Sequence, residues 1–242
     1  MGYPDSDGCQ SSSTNRYPVA TTQSGYPMRR IVVMNPKGGC GKSSIATNLA
    51  GYCSKFRQQV VLADLDPQQS ASEWLALRPE TLPTIEGVSA NPLTLDLPKQ
   101  RGIMLIDTPA AIADEALGSY LKLAHTILVP VLPSAIDIRA ANHFIELLLE
   151  QRRVLKERVK VAVIANRIKQ RTHGFTALQK YLRMLDIPYL TALRDSQNYI
   201  RAADNGLSIF ELKARDAGND WREWRPVIDW LGSRDSLPGA KI

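Results

Sequence analysis

The sequence predicts an α/β fold: one domain built on a mostly parallel, twisted sheet flanked by helices on both faces. Three observations carry this. Short apolar, β-branched runs recur along the chain. Stretches with helical spacing separate them, which implies right-handed crossovers between parallel strands. A Gly-rich turn joins the first run to the first helix.

In chain order, residues 31–34 form a buried strand of four consecutive apolar residues. Residues 43–57 follow helical spacing, with Ile45, Leu49, Cys53 and Phe56 on one face. Residues 60–63 are the next strand. Residues 69–77 form a helix that stops before Pro79. Residues 103–106 and 126–129 are two more buried strands. Residues 137 to about 158 form a long amphipathic helix, with Ile138, Ile145, Leu148 and Leu155 inward. A strand at 159–164, a helix at 176–185 and a short strand at 187–190 follow. Helices near 196–204 and 220–231 finish the domain, the last interrupted by Pro226. The domain therefore spans 29–231. Residues 1–28, rich in Ser, Thr, Asn, Gln, Gly and Pro, predict a disordered tail, and 232–242 a short C-terminal tail.

Composition narrows the class. Of the 242 residues, 44% are apolar, enough for a core. No apolar run reaches the ~18–20 residues that span a bilayer, and the N-terminus lacks the apolar segment of a signal peptide, so a cytoplasmic protein is expected. Three cysteines without C-x-x-C spacing disfavour a disulfide framework or zinc site. Charge is uneven: residues 1–150 carry a net −2, residues 151–242 a net +8. A basic half points to a polyanionic partner.

The first strand runs into Asn35-Pro36-Lys37-Gly38-Gly39-Cys40-Gly41-Lys42-Ser43-Ser44, which opens a helix. Glycines let backbone N–H groups surround phosphate oxygens, and the helix N-terminus adds positive potential. In that setting Lys42 reaches β- and γ-phosphates and the Ser43 hydroxyl binds Mg²⁺. Strict P-loop spacing would put Gly at position 36, where Pro36 stands. Asp64 and Asp66 end the second strand, and Asp107 ends the run 103–106. Acids at strand ends beside such a loop can hold Mg²⁺ through its water shell or orient an attacking water.

Taken together, Lys37-Gly38-Gly39-Cys40-Gly41-Lys42-Ser43-Ser44, Asp64-Leu65-Asp66-Pro67-Gln68-Gln69 and Ile106-Asp107-Thr108-Pro109 resemble the ParA/MinD family of ATPases, over about residues 29–231. The resemblance implies ATP and Mg²⁺ as ligands and slow, partner-stimulated hydrolysis. It implies that residues 37–44 cradle the nucleotide, and that Lys37 crosses an ATP-sandwiched dimer to the other subunit's phosphates. By the same resemblance Lys37, Lys42 and Asp66 are the catalytic set, with Asp66 positioning the hydrolytic water. Asp64 and Asp107 match the Mg²⁺-associated acids, and Asn166 the adenine-contacting position.

Within the family, a ParA-type protein binds nucleoid DNA nonspecifically as an ATP dimer and answers to an adaptor protein. Arg167, Lys169, Arg171, Arg194, Arg201, Lys213 and Arg215 are the candidate DNA contacts. The stretch from Arg194 to Arg201 resembles short plasmid-partition ParA proteins. The cargo would be a plasmid, a chromosome region, a carboxysome or another protein assembly. A MinD-like membrane binder would need a basic amphipathic C-terminal helix. The last helix instead has an apolar stripe flanked by Asp220, Glu223 and Asp229, which suits packing on the core. A metabolic ATP-dependent synthetase on the same fold is the remaining alternative.

Overall fold

The computed structural model describes residues 28–56, 58–97, 100–154 and 158–238. Residues 1–27 of the expected tail at 1–28, the expected helix end at Arg57, the inward Leu155 and residues 239–242 lie outside the described residues, whereas Met28 is buried in the first strand and not part of a tail.

Among the described residues, seven strands form one sheet: β1 (Met28–Val33), β2 (Val60–Asp64), β3 (Glu86–Ser89), β4 (Gly102–Asp107), β5 (Thr126–Val131), β6 (Lys160–Ile168) and β7 (Tyr189–Arg194). Their order is β3-β2-β4-β1-β5-β6-β7, and every pairing is parallel. The helices are α1 (Lys42–Lys55), α2 (Ser70–Ala76), α3 (Asp114–Leu123), α4 (Ala135–Val154), α5 (His173–Leu182), α6 (Gln197–Ala203) and α7 (Ala214–Gly232).

Alternation along β1 explains the layers. Met28 and Val32 join a core shared with Leu117 and Leu121 of α3, Ile145 and Leu148 of α4, and Leu178 of α5. Ile31 and Val33 face the opposite core with Ile45 and Leu49 of α1, Trp74 of α2, and Trp224 and Leu231 of α7. Both faces of the sheet are therefore covered, as the continuous apolar strands require.

The structure departs from expectation at identifiable places. β3 is a mostly exposed edge strand, and its Glu-Gly-Val-Ser sequence has no apolar run to betray it. α3 begins in Asp114 and Glu115, and its short stripe escaped notice between two strong strands. β5 runs two residues further, through Pro130. β1 pairs with β5 only as far as Leu128, so on that side the ladder has already ended when the proline comes. α7 starts six residues before the expected position and continues through Pro226. The exposed proline removes one backbone donor, while Ala217, Trp224, Val227 and Leu231 hold the buried face. The segment beyond Leu231 packs as well. The guanidinium of buried Arg29 in β1 donates to the Leu231 carbonyl (2.5 Å) and the Ser236 hydroxyl (2.8 Å).

A second buried ion sits at the end of α2. Arg78 grips both oxygens of Glu211 (2.6 and 3.1 Å), and each side chain is 5% exposed. Glu211 also accepts from the backbone and hydroxyl of Ser208. Glu211→Ala should therefore lower stability by about 3–5 kcal/mol, because it strands a buried guanidinium. Urea unfolding checks this; a loss below about 1 kcal/mol would mean that solvent already reaches the pair.

Candidate functional site

The crevice forms where the chain turns from β1. Strands β4 and β5 flank β1, the later connections leave in both directions, and ligands bind in such a crevice at the carboxyl ends of the strands. Asn35, 2% exposed, shapes the exit. Its amide donates to the Pro130 carbonyl (2.6 Å), and its side-chain oxygen accepts from Lys37 N–H (2.9 Å). Gly39 (φ 73°) and Gly41 (φ 94°) supply the left-handed turns, and Gly41 stands at the N-cap of α1. Lys42, buried on the first turn, donates from Nζ to the Lys37 carbonyl (3.2 Å). The Cys40 thiol meets the same carbonyl at 3.2 Å; burial raises its pKa, which keeps it protonated. Asn166 closes the loop from β6, its amide donating to the Cys40 carbonyl at 2.8 Å.

Three acids meet the loop from β2 and β4. Asp64, 2% exposed, accepts at one oxygen from Asp66 N–H (3.1 Å) and at the other from Ser72 N–H (2.7 Å). It thereby holds the turn that carries Asp66 to the start of α2. Asp66 is half-buried and accepts from Gln68 N–H (3.0 Å). Asp107 is fully buried, and neither of its oxygens has a hydrogen-bond partner among the described residues. Burial pushes its carboxyl up to about 7, against the lowering pull of the Ser43 hydroxyl and the Lys42 ammonium, while Asp64 and Asp66 add to the rise. An orphaned buried carboxylate next to a P-loop serine is the donor set a hydrated divalent cation completes, so these residues fit Mg²⁺.

A cavity of about 820 Å³ opens between these parts. Gly38, Gly39, Gly41, Lys42, Ser43 and Ser44 form its floor, with Asp66 on one side and Asn166 on the other. The loop after β4 leans against the P-loop, where Ala111 N–H donates to the Pro36 carbonyl at 2.8 Å. Gln69 and Ala111, on two loops beside the cavity, and Arg167, at a register shift near the end of β6, have left-handed backbones without being glycine (φ 54°, 54° and 50°). Such strain gathers at functional sites. Lys37 differs from Lys42: it is half-buried and is not among the residues lining the cavity.

Sequence reasoning missed two parts of the site. Asn35 is one; an Asn before Pro signals a turn, and here its side chain bonds the backbone two residues on. The other is the far wall, built by Leu193, Tyr199 and Trp224 from β7, α6 and α7; the stretch that contains Tyr199 stands out in the sequence for its arginines and not as part of a pocket. The Trp224 indole donates to the Tyr199 hydroxyl (2.8 Å) to fix that wall.

The candidate DNA contacts separate into two groups. Arg194 is held by Asp220 (2.9 Å) and Glu223 (2.5 Å), and Asp220 is wholly buried. Drawing Arg194 out to a phosphate would leave that carboxylate uncompensated, a penalty of about 3–5 kcal/mol, so Arg194 serves the pocket wall rather than the surface. Arg201 and Arg215 both approach Asp216 at 3.7 Å, and Arg167 approaches Asp195 at 3.6 Å. Lys169, Arg171 and Lys213 are exposed, with no ion pair among the described residues.

Comparison with known proteins places this geometry. Residues 31–209 match the family described as the CobQ/CobB/MinD/ParA nucleotide binding domain. The chain is similar to the Maintenance of carboxysome distribution protein A of Gloeobacter kilaueensis: 32% identical over 213 residues, covering 86% of this chain and 95% of that one. The protein of the same name from Halothiobacillus neapolitanus is 31% identical over 194 residues, covering 76% and 88%. Among solved structures, a Cyanothece McdA variant in complex with ATP superposes with a TM-score of 0.64 at 16% identity, over 84% of this chain and 97% of that one, which shows the shared fold. With this match over most of its length, and a parallel sheet carrying a P-loop at the exit of β1, the chain belongs to the CobQ/CobB/MinD/ParA family of nucleotide-binding proteins.

Proposed function

We propose that the chain is a ParA-type positioning ATPase. It binds ATP in the cavity over residues 37–44, dimerises around the nucleotide, attaches to DNA nonspecifically in the dimer, and releases when an adaptor protein stimulates hydrolysis. Ser43 and Asp107 would hold Mg²⁺, with Asp64 supporting them from the Asp66 turn. When bound, that ion would neutralise charge on the β- and γ-phosphates. Lys42 would supply the fixed cation on the phosphates. Asp66, half-exposed at the cavity wall, would orient water.

The observation that carries the reading is the division of labour between two lysines of one loop. Lys42 lines the cavity and Lys37 does not. A cation that starts a P-loop without facing its own pocket is free to complete the pocket of a second copy, as an arginine finger does. The names of the two curated relatives favour a carboxysome or a similar protein assembly as cargo. Replicons are the other cargo class.

Lys37→Ala tests the dimer. The variant should keep ATP binding, yet stay monomeric in light scattering with ATP and lose ATP-dependent retention on random-sequence DNA. A variant that still dimerises with ATP would remove the reason for the sandwich. Anionic liposome binding by the unaltered chain, without DNA binding, would move the protein to the membrane-associated branch.

A further inference from the structure

Arg194, at the carboxyl end of β7, is fixed from three elements. Its Nη2 donates to Asp220 Oδ1 (2.9 Å), its Nε lies 2.5 Å from Glu223 Oε1, and its backbone N–H donates to Glu223 Oε2 (3.0 Å). The remaining oxygen, Asp220 Oδ2, accepts from the Asn198 amide at 2.7 Å. That amide also donates to the Asp216 carbonyl (2.9 Å), and the Thr191 hydroxyl of β7 donates to the Glu223 carbonyl (2.6 Å). All four carboxylate oxygens are engaged, so the guanidinium is clamped between β7, α6 and α7. Burial raises the Tyr199 hydroxyl above the usual phenol range, and Asp220 and Glu223 add to the rise, so the Tyr199 part of the wall stands beside the same clamp.

The clamp leaves one end of the guanidinium unspent. Nη1 has no hydrogen bond among the described residues, the side chain is 33% exposed, and Arg194 is among the residues that line the cavity. The planar fork of arginine therefore holds two N–H donors at the wall in a fixed orientation. Their charge is more than cancelled. Two carboxylates face one guanidinium, and Asp220 is wholly buried, where its charge is screened least. Such a group has little pull on a phosphate, which Lys42 and the N-terminus of α1 already meet at the cavity floor. It suits uncharged acceptors instead. On a nucleotide those are the ring nitrogens of the base and the oxygens of the ribose.

We infer that Arg194 binds the nucleotide by donating from Nη1 to its nucleoside part, and that Asp220 and Glu223 are positioning residues that act through it. The place in the fold fits. The P-loop forms the floor of the cavity, and Asp66 stands on one side of it. A triphosphate on that floor extends its nucleoside toward the other side, where Asn166 lies on β6 and Arg194 pairs with Ile168 of the same strand. This role replaces the DNA contact expected of Arg194 from its sequence neighbours. The inference rests on the ATP binding proposed above and names one of the residues that perform it.

The test compares Arg194→Lys with the wild type in binding ATP and in binding inorganic tripolyphosphate, both with Mg²⁺, by displacement of a fluorescent ATP analogue from the full chain. Lysine keeps a cation for buried Asp220, but its single nitrogen cannot pair with the acids and also reach the nucleoside. ATP should bind about tenfold more weakly, the loss of one charge-assisted hydrogen bond, while tripolyphosphate stays within about twofold of wild type. Glu223→Gln should weaken ATP by less than Arg194→Lys does. Added to Arg194→Lys it should weaken ATP no further, because Glu223 acts through the arginine. Thermal unfolding shows that each variant is folded; if Arg194→Lys is not, Glu223→Gln carries the same comparison of ATP with tripolyphosphate. Equal losses for the two ligands, or an unchanged ATP affinity, overturn the role of Arg194 while ATP binding stands. Wild-type protein that binds no ATP overturns the reading of the cavity itself, and this inference with it.

Discussion

Asp66→Ala should lower ATP hydrolysis by roughly 10²–10⁴-fold while leaving ATP affinity within a few-fold of wild type, the range a positioned proton- or water-handling group supplies. The expectation comes from the way the turn is built. Asp64 uses both carboxylate oxygens on backbone donors, from Asp66 and from Ser72, so it fixes the turn. Asp66 spends one oxygen on Gln68 N–H and is among the residues that line the cavity. The alanine variant loses the carboxylate at the cavity wall but retains the Asp64 anchor. It should therefore collect as an ATP-bound dimer on DNA, visible as ATP-dependent retention that outlasts that of the wild type. Asp66→Asn keeps an oxygen for Gln68 and serves as the isosteric control; it should be equally slow, because the charge is lost. Near-normal turnover in either variant would take Asp66 out of the reaction, and a lost ATP affinity would recast it as a structural part of the pocket.

Gly41→Ala should abolish nucleotide binding. Its backbone sits at φ 94°, where an L-residue is disfavoured by about 1–2 kcal/mol. The larger effect is steric. A Cβ at Gly41 would lie 2.2 Å from the Asn166 amide nitrogen, the group that holds the Cys40 carbonyl. Unless Asn166 gives way, the loop has to open, and the cradle is lost. Gly39→Ala provides the comparison: its φ is 73°, but a Cβ there meets nothing within 4 Å. It should pay the backbone strain alone and keep measurable ATP binding. Combining Gly41→Ala with Asn166→Gly should recover part of the loss, as a double-mutant cycle with positive coupling. If Gly41→Ala and Gly39→Ala weaken ATP equally, as read by nucleotide fluorescence, the Asn166 contact does not govern the loop.

Much of the molecule was legible without coordinates, for a physical reason in each case. β1, β2, β4 and β5 lie in the middle of a parallel sheet, buried on both faces, so their apolar runs stand out. β3 lies at the edge with three of its four residues exposed to solvent, and nothing in Glu-Gly-Val-Ser marks it. The P-loop was legible because phosphate chemistry demands glycines, a lysine and a serine at short fixed spacing. The far wall of the cavity was not, because Leu193, Tyr199 and Trp224 converge from three elements and are ordinary core residues when read one by one. Arg194 shows the same limit from the other side. Its neighbours in sequence suggested a surface contact, while its acids, 26 and 29 residues away in α7, tie it to the wall.

By itself the sequence determined the fold class, the phosphate loop and the acids at the strand ends, since each is a local pattern of residue types imposed by burial or by phosphate and metal chemistry. Only the tertiary structure decided which charges are free. Among the described residues it left Asp107 buried without a hydrogen-bonding partner, tied Asp64 to two backbone donors, turned Lys42 toward the cavity and kept Lys37 out of its lining, and set Arg201 and Arg215 beside Asp216 while leaving Lys169 and Arg171 without an ion pair. The physical reason is that a charge acts through what surrounds it within a few ångströms, and those surroundings come from segments the chain brings together only by folding.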